Sequence, residues 1–179
     1  MWQFFERPKQ TLPMTWQASD AIVDTSALLY LHLAGALGLF EALFARTIVP
    51  EAVWAELRAG AENGIDVPNA GSMPWAISLS PRSDHLPHEA KHLGSGELAV
   101  LRLGLERARA VVILDDAAAR AAARSLALTI TGTLGILVEA KRRGLIAAVR
   151  PTMDQIQAAG FRLDPATRKI VLSLVGERD

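Results

Sequence analysis

Short apolar runs alternate with helix-patterned segments along most of this chain, and that alternation restricts its fold more than any other feature. Ala21-Ile22-Val23 ends in Asp24, then Thr25-Ser26 signals a helix start and an apolar stretch runs on through Leu31. Residues 35–45 predict a second helix with Leu39, Phe40 and Leu43 on one side. Thr47-Ile48-Val49 predicts a strand, and Pro50 with Glu51 opens a further helix, proline at its first position and acid in its first turn. Residues 60–74, rich in Gly, Asn, Pro and Ala, predict a loop, 75–79 a strand and 81–96 a second irregular segment. Beyond them the pattern predicts a helix over 97–107, a strand over 110–114, a helix over 116–126, a strand over 128–130 and a helix over 133–143. Two more helices follow Pro151, separated at Gly160 and Asp164-Pro165. Such alternation implies the α/β class: a three-layer α/β/α domain whose mostly parallel central sheet carries helices on both faces.

Composition sets the bounds. A chain of 179 residues, 50% hydrophobic and 21% charged, suits one domain with a full core. Residues 1–19, with Trp2, Phe4, Phe5 and Trp16 among polar and proline positions, read as an N-terminal extension; 20–150 form the main domain, and 151–179 supply C-terminal helices packed on it. A formal net charge of zero argues against a broad basic nucleic-acid surface, so any cationic patch is local. The absence of cysteine removes disulfides, thiolate zinc sites and cysteine nucleophiles, and a reducing cytoplasm is the expected setting. No apolar run reaches the roughly 18 to 20 residues that span a bilayer, and the start of the chain lacks a signal-peptide core, so no membrane partner is expected.

The chemistry lies in scattered acids. In open parallel sheets, ligands collect outside the carboxyl ends of the strands where strand order reverses, and Asp24 and Asp115 each follow an apolar strand toward that edge. Glu56 lies at the margin of an apolar helix stripe beside Val53 and Leu57. Glu97 shares a helix face with Val100, Leu101 and Gly104, where a carboxylate is costly unless something charged meets it. Each position also has a purely structural reading: Glu56 as a solvated helix residue, Glu97 as a first-turn acid favoured by the helix dipole, Asp116 as an N-cap. That leaves Asp115 as the better ligand of the adjacent pair. Carboxylates gathered within a few ångströms repel and would protonate unless a divalent cation holds them ionised. Mg²⁺ and Mn²⁺ prefer oxygen ligands, and with several retained waters such an ion can polarise a phosphoryl oxygen and activate water for in-line attack on a phosphodiester. Thr25 and Ser26 could hydrogen-bond a metal-bound water or a phosphate, or cap the helix.

Taken in order, Ile-Val-Asp24-Thr-Ser, Val-Pro-Glu-Ala-Val-Trp-Ala-Glu56-Leu, Gly96-Glu97, Ile-Leu-Asp115-Asp116-Ala-Ala-Ala-Arg120 and Thr131-Gly132-Thr133-Leu-Gly resemble the PIN-domain family, most of all the prokaryotic subfamily related to VapC-type toxins. The resemblance covers roughly residues 20–160 and rests on the ordered set, each short motif being weak alone. It implies a Mg²⁺- or Mn²⁺-dependent single-strand ribonuclease, often dimeric and often neutralised by an antitoxin. By position, it implies Asp24, Glu56, Glu97 and Asp115 as the catalytic acids, with Asp24, Glu97 and Asp115 on the metal and Thr25, Ser26, Asp116 and Thr131 supporting. Two departures stand out: many members have Asp where Glu97 stands, and the segment after the fourth strand runs differently, which leaves the register at Asp115-Asp116 open by one residue.

Other motifs compete less well. His88-Glu89-Ala90-Lys91-His92 matches the H-E-x-x-H pattern of zinc metalloproteases, but Pro87 precedes it and Gly94-Ser95-Gly96 breaks the helix that mechanism needs. His85 adds a further imidazole, enough for adventitious nickel or zinc. Gly94 to Ala99 fits G-x-G-x-x-A without the preceding strand a dinucleotide site requires. Arg120 and Arg124, four residues apart on one helix, could bind RNA phosphates or pair with acids, whereas Lys141, Arg142 and Arg143 are explained by the helix dipole. The competing reading for the whole chain is a catalytically inactive scaffold or regulatory protein that keeps the fold.

Overall fold

Five short runs rich in β-branched residues become the strands of one sheet: β1 Asp20–Val23, β2 Arg46–Pro50, β3 Ala76–Leu79, β4 Val111–Ile113 and β5 Thr129–Thr131. The computed structural model describes residues 16–83, 90 and 92–178. The strand order is β3-β2-β1-β4-β5 and every pairing is parallel, so the mostly parallel sheet expected from sequence is wholly parallel. Ile22 of β1 is in register with Ile48 on one side and Val112 on the other, and all three are buried. Strands covered on both faces need such unbroken apolar runs. At the edge, β3 has exposed residues and, among the described residues, pairs with β2 alone.

The helices α1 Thr25–Leu33, α2 Gly38–Leu43, α3 Glu51–Glu62, α4 Ser95–Glu106, α5 Ala117–Ser125, α6 Thr133–Arg142, α7 Arg150–Ala158 and α8 Pro165–Leu174 flank the sheet. Most boundaries shift by one or two residues from the sequence pattern, and three of the differences have a clear local reason. The second helix is shorter than 35–45 because Gly35, at φ 63°, closes α1, with the Ala36 N–H donating to Leu31 O at 2.7 Å. Strand β5 starts one residue late because Ala127, at φ 56°, turns the chain and the Leu128 N–H still donates to Ala123 O at 3.0 Å. Pro50 ends β2 and caps α3 instead of occupying its first turn.

The path of the chain positions the site. From β1 it steps outward to β2 and β3, then returns through α4, which packs on α3, β1, β2 and β4, to place β4 on the opposite side of β1. Strand order therefore reverses between β1 and β4, and a crevice is expected outside their carboxyl ends. There the Asp24 N–H donates to Ile113 O at 3.2 Å, joining the two strand ends that carry Asp24 and Asp115.

Both ends of the described chain are tied to this body. Trp16 stacks on Phe44 with ring centroids 5.1 Å apart, so the last part of the expected extension packs on the domain. Residues 1–15, His85, His88 and Glu89 lie outside the described residues. At the other end α7 packs on α1 and α8 on α6, and the Glu177 carboxylate accepts the Val149 and Arg150 N–H groups at 2.8 and 3.0 Å. It satisfies two donors that the start of α7 leaves open. Glu177→Ala is therefore expected to cost about 1–2 kcal/mol, the usual range for a lost helix cap, with faster amide exchange at Val149 and Arg150; unchanged urea unfolding would show that this link contributes nothing. No helix among the described residues is long and apolar enough to cross a membrane.

Candidate active site

Three aspartates occupy N-cap positions, and their contrast marks the site. Asp116 accepts the Ala118 and Ala119 N–H groups at 2.8 and 2.9 Å, and Asp164 accepts that of Thr167 at 2.9 Å, as capping aspartates do. Asp24 stands at the same position on α1 and makes no side-chain cap. It is 4% exposed; its Oδ2 accepts from Ser26 Oγ at 2.9 Å, while Oδ1 is buried without a hydrogen-bond partner. Burial pushes the Asp24 carboxyl up to about 6, against the Ser26 hydrogen bond and the Thr25 backbone N–H, and repulsion from Glu97 and Glu56 adds to the rise.

Those two acids approach Asp24 from α3 and the start of α4. Glu56 is held at both oxygens: its Oε2 accepts from the Thr25 hydroxyl, and its Oε1 accepts from Ser95 Oγ and the Gly96 N–H, both at 2.7 Å. Glu97 is half-buried and folds back so that Oε2 accepts the Gly94 N–H at 2.9 Å. Burial raises its pKa against that hydrogen bond, and Asp116 and Glu56 raise it further. Its apolar companions Val100 and Leu101 are fully buried, as the helix face predicted.

Asp115 belongs to a neighbouring network. Thr133 N and Oγ1 donate to its two oxygens at 2.9 and 2.5 Å, anchoring the end of β4 to the start of α6. Burial raises the Asp115 pKa, opposed by Thr133 and by the Arg120 charge. Arg120 is half-buried and donates to Leu114 O at 2.8 Å, so it faces inward beside Asp115, while Arg124 is exposed. Thr131 is buried with its hydroxyl against Gly135, where an added Cβ would collide with it. Of the expected site residues, Asp24, Glu56, Glu97, Thr25 and Ser26 thus form one linked group, Asp116 repels Glu97 at its margin, and Asp115 and Arg120 form a second group that Thr133 joins. Among the described residues, no group of three or more acidic, histidine or cysteine side chains is placed to hold a metal ion.

A protein-family model, DUF3368, described as a PIN domain, matches residues 20–177, a span that includes α7 and α8. The chain belongs to the PIN-domain family. No curated protein matches it. PIN domains are generally nucleases, and PIN nucleases typically use divalent metals. The residues of this PIN domain fit a hard cation that keeps much of its water: Asp24 Oδ1 is an unused buried acceptor, and among the described residues Glu97 engages one oxygen in a protein hydrogen bond. Three contributors escaped the sequence reading, Ser95 and Gly96 on Glu56 and Thr133 on Asp115. Small polar and glycine residues at helix starts are so common that only their spatial partners distinguish them.

Proposed function

We propose that this PIN domain hydrolyses phosphodiester bonds of single-stranded or structured RNA with Mg²⁺ or Mn²⁺, as the toxin of a toxin–antitoxin pair. The observation that carries the metal-dependent part is the buried, unpartnered Oδ1 of Asp24 at the strand-order reversal, with the Glu97 carboxylate in electrostatic reach. Asp24 and Glu97 would hold the cation. Ser26 orients Asp24, and Asp115, bonded to Thr133, fixes the adjoining strand end. When bound, the cation would polarise the scissile phosphate and lower the pKa of the attacking water. Exposed Arg124, on the helix that Asp116 caps, would attract the RNA backbone, with Arg120 setting the adjoining wall. The resemblance to VapC-type toxins extends the proposal to a cytoplasmic homodimer silenced by an antitoxin.

The test is cleavage of a labelled single-stranded RNA in Mn²⁺ or Mg²⁺ and in EDTA. Cleavage that needs the metal supports the reading; a folded protein that cuts nothing with either ion favours the inactive scaffold. A pH dependence follows. Protonated Asp24 cannot bind a cation, so Mn²⁺ affinity should fall as the pH drops through about 6, the value to which burial raises this group. Calorimetric titration at a series of pH values checks this; affinity independent of pH between 5 and 8 would exclude Asp24 from the metal.

A further inference from the structure

We infer that Glu56 is a positioning residue, a clamp that fixes Asp24 against Glu97, and is not itself a ligand of the cation. This rests on the proposed reading of the pocket and assigns one of its acids a different task. Glu56 projects from α3, and its donors come from two other elements: Thr25 at the start of α1, and Ser95 and Gly96 at the start of α4. Thr25 is the residue after Asp24, and Gly96 is the residue before Glu97. One carboxylate thus joins the immediate chain neighbours of the two acids that retain open oxygens.

Hydrogen-bond capacity supports the assignment. Oε1 already accepts two donors, which uses both its lone pairs, and Oε2 spends one of its two on the Thr25 hydroxyl, so three of the four acceptor sites are taken. Binding a cation through Oε1 would break a bond that holds α4 in place. The fit around Glu56 is also steric. A Cβ at Gly96 would fall 2.6 Å from Glu56 Oε2 and 3.1 Å from Oε1, so the side chain occupies space that only glycine leaves open. Gly96 has no positive φ to explain it, and the three atoms nearest to a Cβ there all belong to Glu56.

The experiment measures Mn²⁺ affinity of the full chain by calorimetry, with thermal unfolding of each variant to confirm folding. Glu56→Gln keeps the shape and can still bond Thr25, Ser95 and Gly96, so its affinity should stay close to wild type. Glu56→Ala should lose about 10- to 100-fold, the range for residues that orient ligands from behind. Gly96→Ala, which alters no acid, should lose a comparable amount by displacing Glu56, and should cost nothing further in a Glu56→Ala background. That dependence of one substitution on the other separates a clamp from two independent structural lesions. Loss in Glu56→Gln as complete as in Asp24→Asn would overturn the inference, as would losses in Gly96→Ala and Glu56→Ala that multiply. Wild-type affinity in Asp24→Asn would instead remove the cation from this pocket, and the clamp's purpose with it.

Discussion

Asp24→Asn is expected to abolish metal-dependent RNA cleavage while making the metal-free protein more stable at neutral pH. The two effects share one cause. Losing a direct ligand removes several kcal/mol of charge stabilisation in the transition state, so a fall on the order of 10³-fold or more follows. The stability effect comes from burial. The Asp24 carboxyl rises from 3.8 to about 6 because its charged form is desolvated. A group whose folded pKa lies above its unfolded value binds more protons in the native state, so stability falls as pH rises between the two. By about pH 7, one unit above the folded value, the charge is about nine-tenths present and its cost nearly complete. The shift of roughly 2 units corresponds to about 3 kcal/mol. Asparagine recovers only part of this, about 1–2 kcal/mol, because its amide is still a buried polar group in need of partners. Urea unfolding in EDTA should show Asp24→Asn above wild type at pH 7 and the difference narrowing toward pH 4. Burial raises Glu97 and Asp115 in the same direction, so the variant should keep some acid-side gain. A variant less stable than wild type at pH 7 would contradict the burial argument.

Gly132→Ala carries the second large effect, and here the cause is space. Gly132 lies between β5 and α6 with extended backbone, so its dihedral angles do not require glycine. Its surroundings do. A Cβ there would fall 2.7 Å from Asp115 Oδ1, 3.0 Å from Arg120 Nη1 and 3.1 Å from Leu114 O. Arg120 is itself bonded to that carbonyl and Asp115 to Thr133, so neither can yield without giving up a buried hydrogen bond. Overpacking of this kind costs about 1–3 kcal/mol, and with a buried bond lost the upper end is expected. For a chain of this size that lowers the melting temperature by roughly 5–10 °C. Gly38→Ala, at the start of α2 with nothing within 4 Å, is the matched control and should be neutral or slightly stabilising. Equal melting temperatures for the two variants would show that the Asp115–Arg120 wall yields freely.

How much of this was legible in the chain depends on what each residue had to announce. The strands were legible because Ile22, Val49 and Val112 sit in apolar runs that must be buried on both faces, and an acid ending such a run falls at a predictable sheet edge. Strand order was not, because nothing in the residues of β4 says that it returns beside β1. Helix ends divided the same way: Gly35 advertises a left-handed turn, whereas Ala127 adopts one without any residue-level signal. Within the site, residue type identified the acids and hid their roles. Asp24, Asp116 and Asp164 each precede a helix, yet only the latter two cap. Whether a carboxylate is open or occupied depends on donors far along the chain, such as Ser95 and Gly96 for Glu56.

The most direct test of the central claim is a crystal soaked in Mn²⁺ and measured at a wavelength where manganese scatters anomalously. An anomalous peak should lie about 2.0–2.3 Å from Asp24 Oδ1 and on the Glu97 side of the pocket, the distance expected for a small hard cation on carboxylate oxygen. A peak at another cluster, with Asp24 Oδ1 still unpartnered, would contradict it.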